Sequence, residues 1–256
     1  MTHKDTEQLA AILLDARAAG TPIPVGQCPV ATTAQAYAIQ DACARRGAWF
    51  AAGPRAWKVG APNRAQVPTA APLPDAGLLA SPAHLGPTPM VRLGIEAELG
   101  FRLSRDLAAP LPLDWDSADA AEWLDAVFVT IEVVDCRFTE GEATPGPHKL
   151  ADLQSHGALV IGEPAAFTPL DWSTLHCLVK LNGRITAEAV GTHPLGDPLW
   201  AMPWLIEHAR QRYGGLRKAD LITTGAWTGI MPVSPGDRVE VAFERIGQAS
   251  IEFSTF

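Results

Sequence analysis

Cysteine is scarce in this chain of 256 residues, and its four cysteines stand far apart. Cys28, Cys43, Cys136 and Cys177 include no C-x-x-C pair, the spacing that is typical of zinc sites and redox-active dithiols. Isolated thiols fit a reducing compartment better than a disulfide framework. We therefore predict reduced, structural cysteines and a cytoplasmic protein.

The sequence also lacks an excess of positive charge and long apolar runs. Lysine and arginine total 20 against 28 aspartates and glutamates, which gives a formal net charge of −8. No basic run provides the electrostatic footprint of nucleic-acid binding. No segment approaches the roughly 18 uninterrupted apolar residues of a transmembrane helix, and residues 1–20 lack the pattern of a signal peptide. The sequence predicts a soluble, unexported protein with neither nucleic acid nor membrane as a partner.

Helical patterns occupy the first part of the chain and recur later. Apolar residues spaced at three and four positions predict amphipathic helices, and capping residues and glycines mark their ends. With 47% hydrophobic residues, the chain can form one large core, with or without an N-terminal helical appendage. We predict helices over 5–19 with a stop at Gly20, from Thr32 or Thr33 to Gly47, within 114–127 after a cap at Asp116 or Ser117, and from Asp197 to Gly214, with Pro198 in its first turn.

Strand patterns dominate the second half. Asn182-Gly183 lies between the alternating residues of 177–190, which predicts a β-hairpin. Segments 219–227 and 236–253 predict three more strands, and 56–60 a short one, whereas 61–89 is rich in Pro, Ala and Gly and predicts an irregular loop. Early helices and late antiparallel strands predict an α+β fold without Rossmann-like alternation.

Residues 91–103 form a predicted strand with two unlike faces. The odd positions are apolar, whereas the even face carries Glu96 and Glu98 with Gly94 and Gly100 on either side of them. A period of two puts the two glutamate Cα atoms roughly 6.5 Å apart, so their side chains can converge. One interpretation is a solvated face neutralised by Arg92 and Arg102. The glycines favour the other interpretation, because glycine in a strand commonly marks a place where another group approaches.

Glu132 supplies a third carboxylate, in the middle of the apolar run 127–138. A lone buried carboxylate is costly, and three neighbouring carboxylates repel unless a cation keeps them ionised. Oxygen-only ligands suit Mg²⁺ or Mn²⁺. Two alternatives stay open: Asp135 as the third ligand, and a buried ion pair between Glu132 and an arginine such as Arg137.

Six short motifs follow one another along the chain. They are K-V-G at 58–60, G-I-E-A-E-L at 94–99, I-E-V-V-D-C-R at 131–137, A-D-x-x-S-x-G at 151–157, T-T-G-A at 223–226 and P-G-D-R at 235–238. Together they resemble the 2-keto-4-pentenoate hydratase and 4-oxalocrotonate decarboxylase group of the fumarylacetoacetate hydrolase superfamily. The resemblance implies a mixed β-roll with an N-terminal helical portion, which we place at 1–56, before a β-rich catalytic domain at 57–256. It also implies a homo-oligomer, and it allows a complex with a partner enzyme of the same pathway.

The resemblance also implies roles for individual residues. Glu96, Glu98 and Glu132 would hold Mg²⁺ or Mn²⁺, and Lys58 would stabilise the substrate carboxylate or enolate. Asp152 and Ser155 match the acidic and serine positions of the group and would position water or substrate, with His156 beside them. The list of predicted catalytic residues is Lys58, Asp152 and Ser155.

The implied activity is hydration of a 2-hydroxy-2,4-dienoate from aromatic meta-cleavage catabolism. A 2-oxo acid decarboxylase of the 4-oxalocrotonate type and an inactive metal-binding homologue are the alternatives. Ser81 leaves both alternatives open. Many hydratases of this group have an aspartate after the G-L-L motif, and a serine hydroxyl cannot replace that aspartate as a general base. Arg64, Arg102 and Arg137 are candidates for contacting a second substrate carboxylate.

Overall fold

Two β-sheets and a set of α-helices build the fold in a computed structural model, which describes residues 2–86, 90, 92–112 and 115–255. The helices are α1 (His3–Ala19), α2 (Thr33–Arg46), α3 (Ser117–Ala121), α4 (Gly146–Ala151) and α5 (Met202–Tyr213). The strands are β1 (Ala56–Gly60), β2 (Thr69–Pro72), β3 (Leu78–Ala80), β4 (Ala83–Leu85), β5 (Leu93–Leu103), β6 (Leu124–Asp135), β7 (His156–Ile161), β8 (Ala165–Ala166), β9 (His176–Leu181), β10 (Arg184–Val190), β11 (Leu221–Thr223), β12 (Met231–Pro232), β13 (Arg238–Phe243) and β14 (Gly247–Phe253).

The larger sheet has the strand order β2-β1-β11-β5-β6-β7-β3, with β12 paired to β5 and β8 paired to β6. The smaller sheet has the order β10-β9-β13-β14-β4. Apolar side chains of both sheets, among them Ile95, Ile131, Val179, Val241 and Ile251, join one core. Full burial of each such side chain stabilises the fold by about 1.5–3 kcal/mol. This arrangement confirms the predicted α+β class.

The N-terminal helices pack around a second apolar cluster. It combines residues of α1 and α2 with Cys136, Phe138 and Leu150, which follow much later in the chain. Thr32 caps α2 as predicted, and Gly20, with φ 57°, ends α1 in the left-handed conformation that glycine tolerates. Helix α1 begins at His3, two residues before the predicted start, because Thr2 caps it. The division at residue 56 remains a prediction, because this cluster draws on both sides of it.

The predicted hairpin is confirmed by β9 and β10, which are joined by Asn182 and Gly183 at φ 52° and 77°. The predicted strand at 56–60 is confirmed as β1, and the pairing of β13 with β14 confirms the last hairpin. The loop prediction for 61–89 was partly wrong, because β2, β3 and β4 form where their backbones find neighbours in the two sheets. Residues 87–89 of that segment lie outside the described ranges.

Two helix predictions need correction. Helix α3 begins after the predicted cap Asp116 but is short, because residues from Leu124 onward join β6 and pair with β5. Helix α5 begins at Met202 and not after Asp197. Pro203 has no N–H to donate to an earlier turn, so the helix begins beside it and Pro203 lies in the first turn. Asp114 lies outside the described residues.

No helix within the described ranges is long and apolar enough to cross a membrane.

Candidate metal centre and active site

Glu96, Glu98 and Glu132 meet because β5 and β6 are antiparallel neighbours. The register pairs Glu96 directly with Glu132 and Glu98 with Thr130, which places all four side chains on one face. One oxygen of each glutamate lies within 4.8 Å of one oxygen of the other two. The odd-numbered face of β5 is buried in the core as predicted, from Ile95 to Leu103; Val91 lies outside the described residues.

The flanking arginines do not neutralise the glutamates, so that interpretation was wrong. Arg102 Nε donates to Asp125 at 2.7 Å, and Arg92 Nη2 donates to the carbonyl oxygen of Thr139 at 3.3 Å. The flanking glycines make room for protein side chains. A Cβ on Gly94 would lie 2.8 Å from Ile230 Cγ2, and one on Gly100 would lie 2.9 Å from Thr130 Cγ2.

Lys58 of β1, whose side chain is 12% exposed, brings a cation to the three carboxylates. Its Nζ lies 2.6 Å from Glu132 Oε2 and 3.9 Å from Glu96 Oε2. It also donates to the carbonyl oxygen of Gln154 at 3.3 Å. Burial opposes its charge, but Glu132 and the other two glutamates raise the pKa of Lys58 above its ordinary value. The ammonium group is therefore charged at neutral pH.

His156 contacts the cluster from β7, which pairs with β6. Its Nδ1 lies 3.2 Å from Glu132 Oε1, and burial lowers the pKa of His156 to about 4 although Glu132 opposes this. A neutral imidazole beside an acceptor-only carboxylate carries its proton on Nδ1. Arg17 of α1, which the sequence analysis missed, donates to the main-chain oxygen of His156 at 2.7 Å. No local sequence signal marks that contact.

The three carboxylates differ in how readily they hold a proton. Burial raises the pKa of Glu96 to about 7, and Glu132 adds to the shift while Lys58 opposes it. Burial, then the charges of Glu132 and Glu96, raises the pKa of Glu98 well above its ordinary value. Burial would also raise the pKa of Glu132, but Lys58 and His156 lower it. A cation placed among them would keep all three ionised.

The donor set of these three residues fits a hard divalent cation. All the donors are carboxylate oxygens, the ligands that Mg²⁺ and Mn²⁺ prefer. Thr223 Oγ1 donates to Glu98 Oε2 and so orients that carboxylate. The other oxygen, Oε1, is buried and has no hydrogen-bond partner among the described residues. A buried oxygen without a donor is costly, and a bound cation would remove that cost.

Asp135 and Arg137 belong to a different buried cluster. Asp135 lies on the other face of β6 from Glu132, where it accepts from Arg92 N at 2.8 Å and from Arg137 Nη1 at 3.3 Å. Asp135 is not in the group of three metal-ligating carboxylates found among the described residues. Arg137 pairs with Asp152 and Asp135, so the proposed ion pair between Arg137 and Glu132 was wrong.

The side chains of Asp152 and Ser155 lie in different surroundings. Both carboxylate oxygens of Asp152 accept from Arg137 Nε, at 2.7 and 2.9 Å, and the residue is only 4% exposed. Ser155 instead lines a cavity together with Lys58 and Glu96. The catalytic roles of both residues remain predictions. Ser81 accepts from Ser250 N at 2.9 Å where the two sheets meet.

Three cavities, of about 440, 720 and 480 Å³, meet at Glu96 and Gln154. Gln154, which the sequence analysis passed over, lies between Leu153 and Ser155, and all three have left-handed φ values of 54–64°. Such a backbone costs about 1–2 kcal/mol per non-glycine residue and typically persists at functional sites. The Gln154 side chain is held by Thr69, whose Oγ1 accepts from Nε2 at 2.6 Å.

Comparisons with known proteins agree with this geometry. A 2-keto-4-pentenoate hydratase of Dechloromonas aromatica (strain RCB) is 30% identical over 261 residues, 97% of each chain. The structure of 4-oxalocrotonate decarboxylase from Pseudomonas putida G7, complexed with magnesium and adipate, has a TM-score of 0.87 at 24% identity and covers 99% of this chain and 98% of its own. That fold confirms the expected mixed β-roll. The sequence model of the fumarylacetoacetate (FAA) hydrolase C-terminal family matches residues 65–253. The resemblance is thus confirmed, and the chain belongs to the fumarylacetoacetate hydrolase family.

Proposed function

We propose that this protein is a lyase that adds water to a 2-hydroxy-2,4-dienoate of the 2-keto-4-pentenoate type, in aromatic meta-cleavage catabolism. The observation that carries the proposal is the convergence of Glu96, Glu98 and Glu132 beside the ammonium group of Lys58, where three cavities meet. The relative named 2-keto-4-pentenoate hydratase, which matches along almost the whole chain, supports the same reaction.

The proposed cofactor is Mg²⁺ or Mn²⁺, held by Glu96, Glu98 and Glu132. When bound, such an ion supplies a Lewis acid that stabilises negative charge on the C2 oxygen of the substrate. Thr223 orients Glu98 by a hydrogen bond, and His156 and Lys58 fix the two oxygens of Glu132. These contacts hold two of the three carboxylates in place before any ligand arrives, which limits the reorganisation that binding requires.

Lys58 and Ser155 are the proposed substrate contacts. The charged Lys58 lies beside the glutamates and lines the same cavity as Ser155, so its ammonium group can balance the substrate carboxylate and the enolate charge. In the hydration, the dienol is protonated at its far end, and the resulting enone accepts water at C4. Asp152 is proposed to act through Arg137, the residue that binds its carboxylate. Its proposed role is to position the residues of the site and not to contact the substrate.

A 4-oxalocrotonate-type decarboxylase is the second candidate. The same electron sink would accept the electron pair released with CO₂, so the carboxylate cluster serves both reactions. Ser81 favours this candidate over the hydratase, because its hydroxyl is engaged by Ser250 N and cannot replace a general base.

The test is a substrate panel. The purified protein is mixed with 2-hydroxypenta-2,4-dienoate and with 4-oxalocrotonate, in Mg²⁺ and after EDTA treatment. Metal-dependent formation of 4-hydroxy-2-oxopentanoate from the dienoate supports the hydratase, and CO₂ release from oxalocrotonate without hydration of the dienoate selects the decarboxylase. Absence of metal-dependent turnover of both compounds contradicts the enzyme proposal and leaves the inactive homologue.

The remaining expectations are part of the same proposal. We propose that the protein acts in the cytoplasm on a small-molecule acid, as a homo-oligomer, and that a partner enzyme of the same pathway binds to it. Size determination in solution, alone and with the enzyme that forms the dienoate, tests the last two points.

A further inference from the structure

Gln154 lies at the junction of the three cavities, next to the groups of the proposed metal centre. It lines each cavity together with Glu96, and its main-chain oxygen accepts from Lys58 Nζ at 3.3 Å. Its backbone has the left-handed conformation, with φ 55°. Non-glycine residues in this conformation concentrate at functional sites, which points to a role for the Gln154 side chain.

The two ends of the Gln154 side-chain amide differ in their partners. Nε2 donates to Thr69 Oγ1 at 2.6 Å and to the main-chain oxygen of Thr69 at 3.3 Å. A carbonyl oxygen can only accept, so the amide turns its nitrogen toward Thr69. The amide oxygen Oε1 is buried and has no hydrogen-bond partner among the described residues. A buried acceptor without a donor is destabilising, and a ligand that brings a donor would remove that cost.

The chemistry of the proposed substrate limits which donor this can be. The C1 carboxylate only accepts hydrogen bonds, and the C2 oxygen is no longer a donor once the dienol has become the enone. The water that adds at C4 has two O–H donors, and the product keeps one of them in its C4 hydroxyl group. The donor that suits Gln154 Oε1 during hydration is therefore the attacking water.

Ser81 cannot orient a water molecule in these cavities. It is not among the described residues that line them, and its hydroxyl accepts from Ser250 N at 2.9 Å. Gln154, in contrast, lines all three cavities and has a free acceptor. The orientation of water therefore falls to a residue on the other side of the site from Ser81.

We propose that Gln154 contacts the reacting groups, and that its Oε1 accepts a hydrogen bond from the attacking water and afterwards from the C4 hydroxyl group of the product. In this step the water oxygen bonds to C4, and the π electron pair of the C3–C4 double bond forms the new C3–H bond. The proton that the water loses balances the proton that C3 gains. The neutral amide does not take up that proton; it orients the water toward C4. This inference rests on the proposed function for the reaction.

The first test separates two steps of the reaction in the full-length protein with Mg²⁺. NMR in D₂O follows 2-hydroxypenta-2,4-dienoate: deuterium entry at C5 reports protonation of the dienol, and 4-hydroxy-2-oxopentanoate reports the addition of water. Gln154→Met keeps the length of the side chain but has no oxygen. We expect water addition to slow roughly 10- to 100-fold, while enzyme-dependent deuterium entry keeps its rate. Gln248→Met, an exposed change on β14, is the matched control.

Thr69→Val distinguishes the orientation of the amide from the loss of its oxygen. Valine removes the Oγ1 acceptor, but the main-chain oxygen of residue 69 still holds Nε2. We therefore expect water addition to slow less in this variant than in Gln154→Met. Equal slowing of both steps in Gln154→Met would show a structural role and overturn the proposal, and so would an unchanged rate of water addition.

The second test does not depend on turnover. 4-Hydroxy-2-oxopentanoate and 2-oxopentanoate, which differ only in the C4 hydroxyl group, are titrated calorimetrically into the protein with Mg²⁺. One neutral hydrogen bond corresponds to roughly 2- to 10-fold tighter binding of the hydroxy acid. Gln154→Met should abolish this preference, and Gln248→Met should keep it.

Equal affinity of the unchanged protein for the two acids would overturn the contact, and this comparison needs no variant to fold. The two proposals also fail separately. A protein that hydrates no dienoate but prefers the hydroxy acid contradicts the enzyme proposal and supports the contact. A protein that hydrates the dienoate equally well with and without the Gln154 amide keeps the proposed function and loses this inference.

Discussion

Lys58 and Glu132 form an ion pair of 2.6 Å in the interior of the protein, where Glu132 is 0% exposed. They come from β1 and β6, which are separated in the sheet by β11 and β5. Removal of one partner from a buried pair leaves the other charge without compensation, which is strongly destabilising. The removal of either partner therefore has consequences for stability as well as for activity.

The Lys58→Met variant should be less stable than the unchanged protein when no metal is present. Glu132 would then lose its main cationic partner, and breaking a buried pair costs about 3–5 kcal/mol. Urea unfolding in EDTA measures the change in unfolding free energy. Lys218→Met, at an exposed position, is the matched control. Equal stability of the two variants would contradict a charged Lys58 that neutralises the buried Glu132.

The Glu98→Gln variant should lose metal binding and turnover together. The amide keeps the size of the side chain but removes the negative charge, so we expect the Kd for Mn²⁺ to rise at least about 100-fold. Calorimetry measures binding, and the dienoate assay measures turnover. Glu163→Gln, an exposed change, provides the control. Near-normal activity of Glu98→Gln would remove Glu98 as a ligand.

The stabilisation by metal should depend on pH. Without metal, the folded-state pKa of Glu96 is raised from 4.5 to about 7 by burial and by Glu132. A raised pKa contributes stability in acid that is lost as pH rises from about 4.5 through 7. The pKa of Glu98 is raised as well, so its contribution to stability has the same sign. The pKa of Glu132 is lowered, so its contribution to stability is lost as pH falls below about 4.5.

Mn²⁺ binding must displace these protons, so its stabilising effect should grow between pH 5 and pH 8. The measurement is the difference in Tm with and without Mn²⁺ across this range. A difference that is as large at pH 5 as at pH 8 would contradict the raised pKa values of Glu96 and Glu98.

The Asp152→Asn variant should lower the unfolding free energy more than it lowers kcat. Among the described residues, Arg137 would keep only Asp135 as an ion-pair partner in a fully buried position, and we expect a loss of about 3–5 kcal/mol. Asp125→Asn, which breaks the exposed pair with Arg102, should cost less than about 1 kcal/mol. A large fall in kcat at unchanged unfolding free energy would instead show that Asp152 contacts the substrate.

The structural features that were predicted correctly from the sequence are those that depend on local sequence patterns. The alternating faces of β5, the Asn182-Gly183 hairpin, the stop of α1 at Gly20 and the cap of α2 at Thr32 follow from periodicity and turn chemistry. The boundaries of α3 and α5 were wrong because β6 pairing and Pro203 override helical periodicity there. The short strands β2, β3 and β4 need distant partners, which no local pattern reveals.

The same distinction holds at the site. Glu96, Glu98 and Glu132 were grouped from the sequence because strand periodicity and charge burial point to them. The contacts of Gln154, Arg17 and Arg92 depend on chain segments that meet only in the folded protein. Their sequence neighbourhoods contain no pattern that marks them, so the walls of the cavity could be found only in three dimensions.

Anomalous diffraction from crystals grown with Mn²⁺ tests the central claim most directly. We expect one strong anomalous peak at coordination distance from an oxygen of each of Glu96, Glu98 and Glu132. A site without a peak, or a peak elsewhere while Glu132 stays paired only with Lys58 and His156, would contradict it.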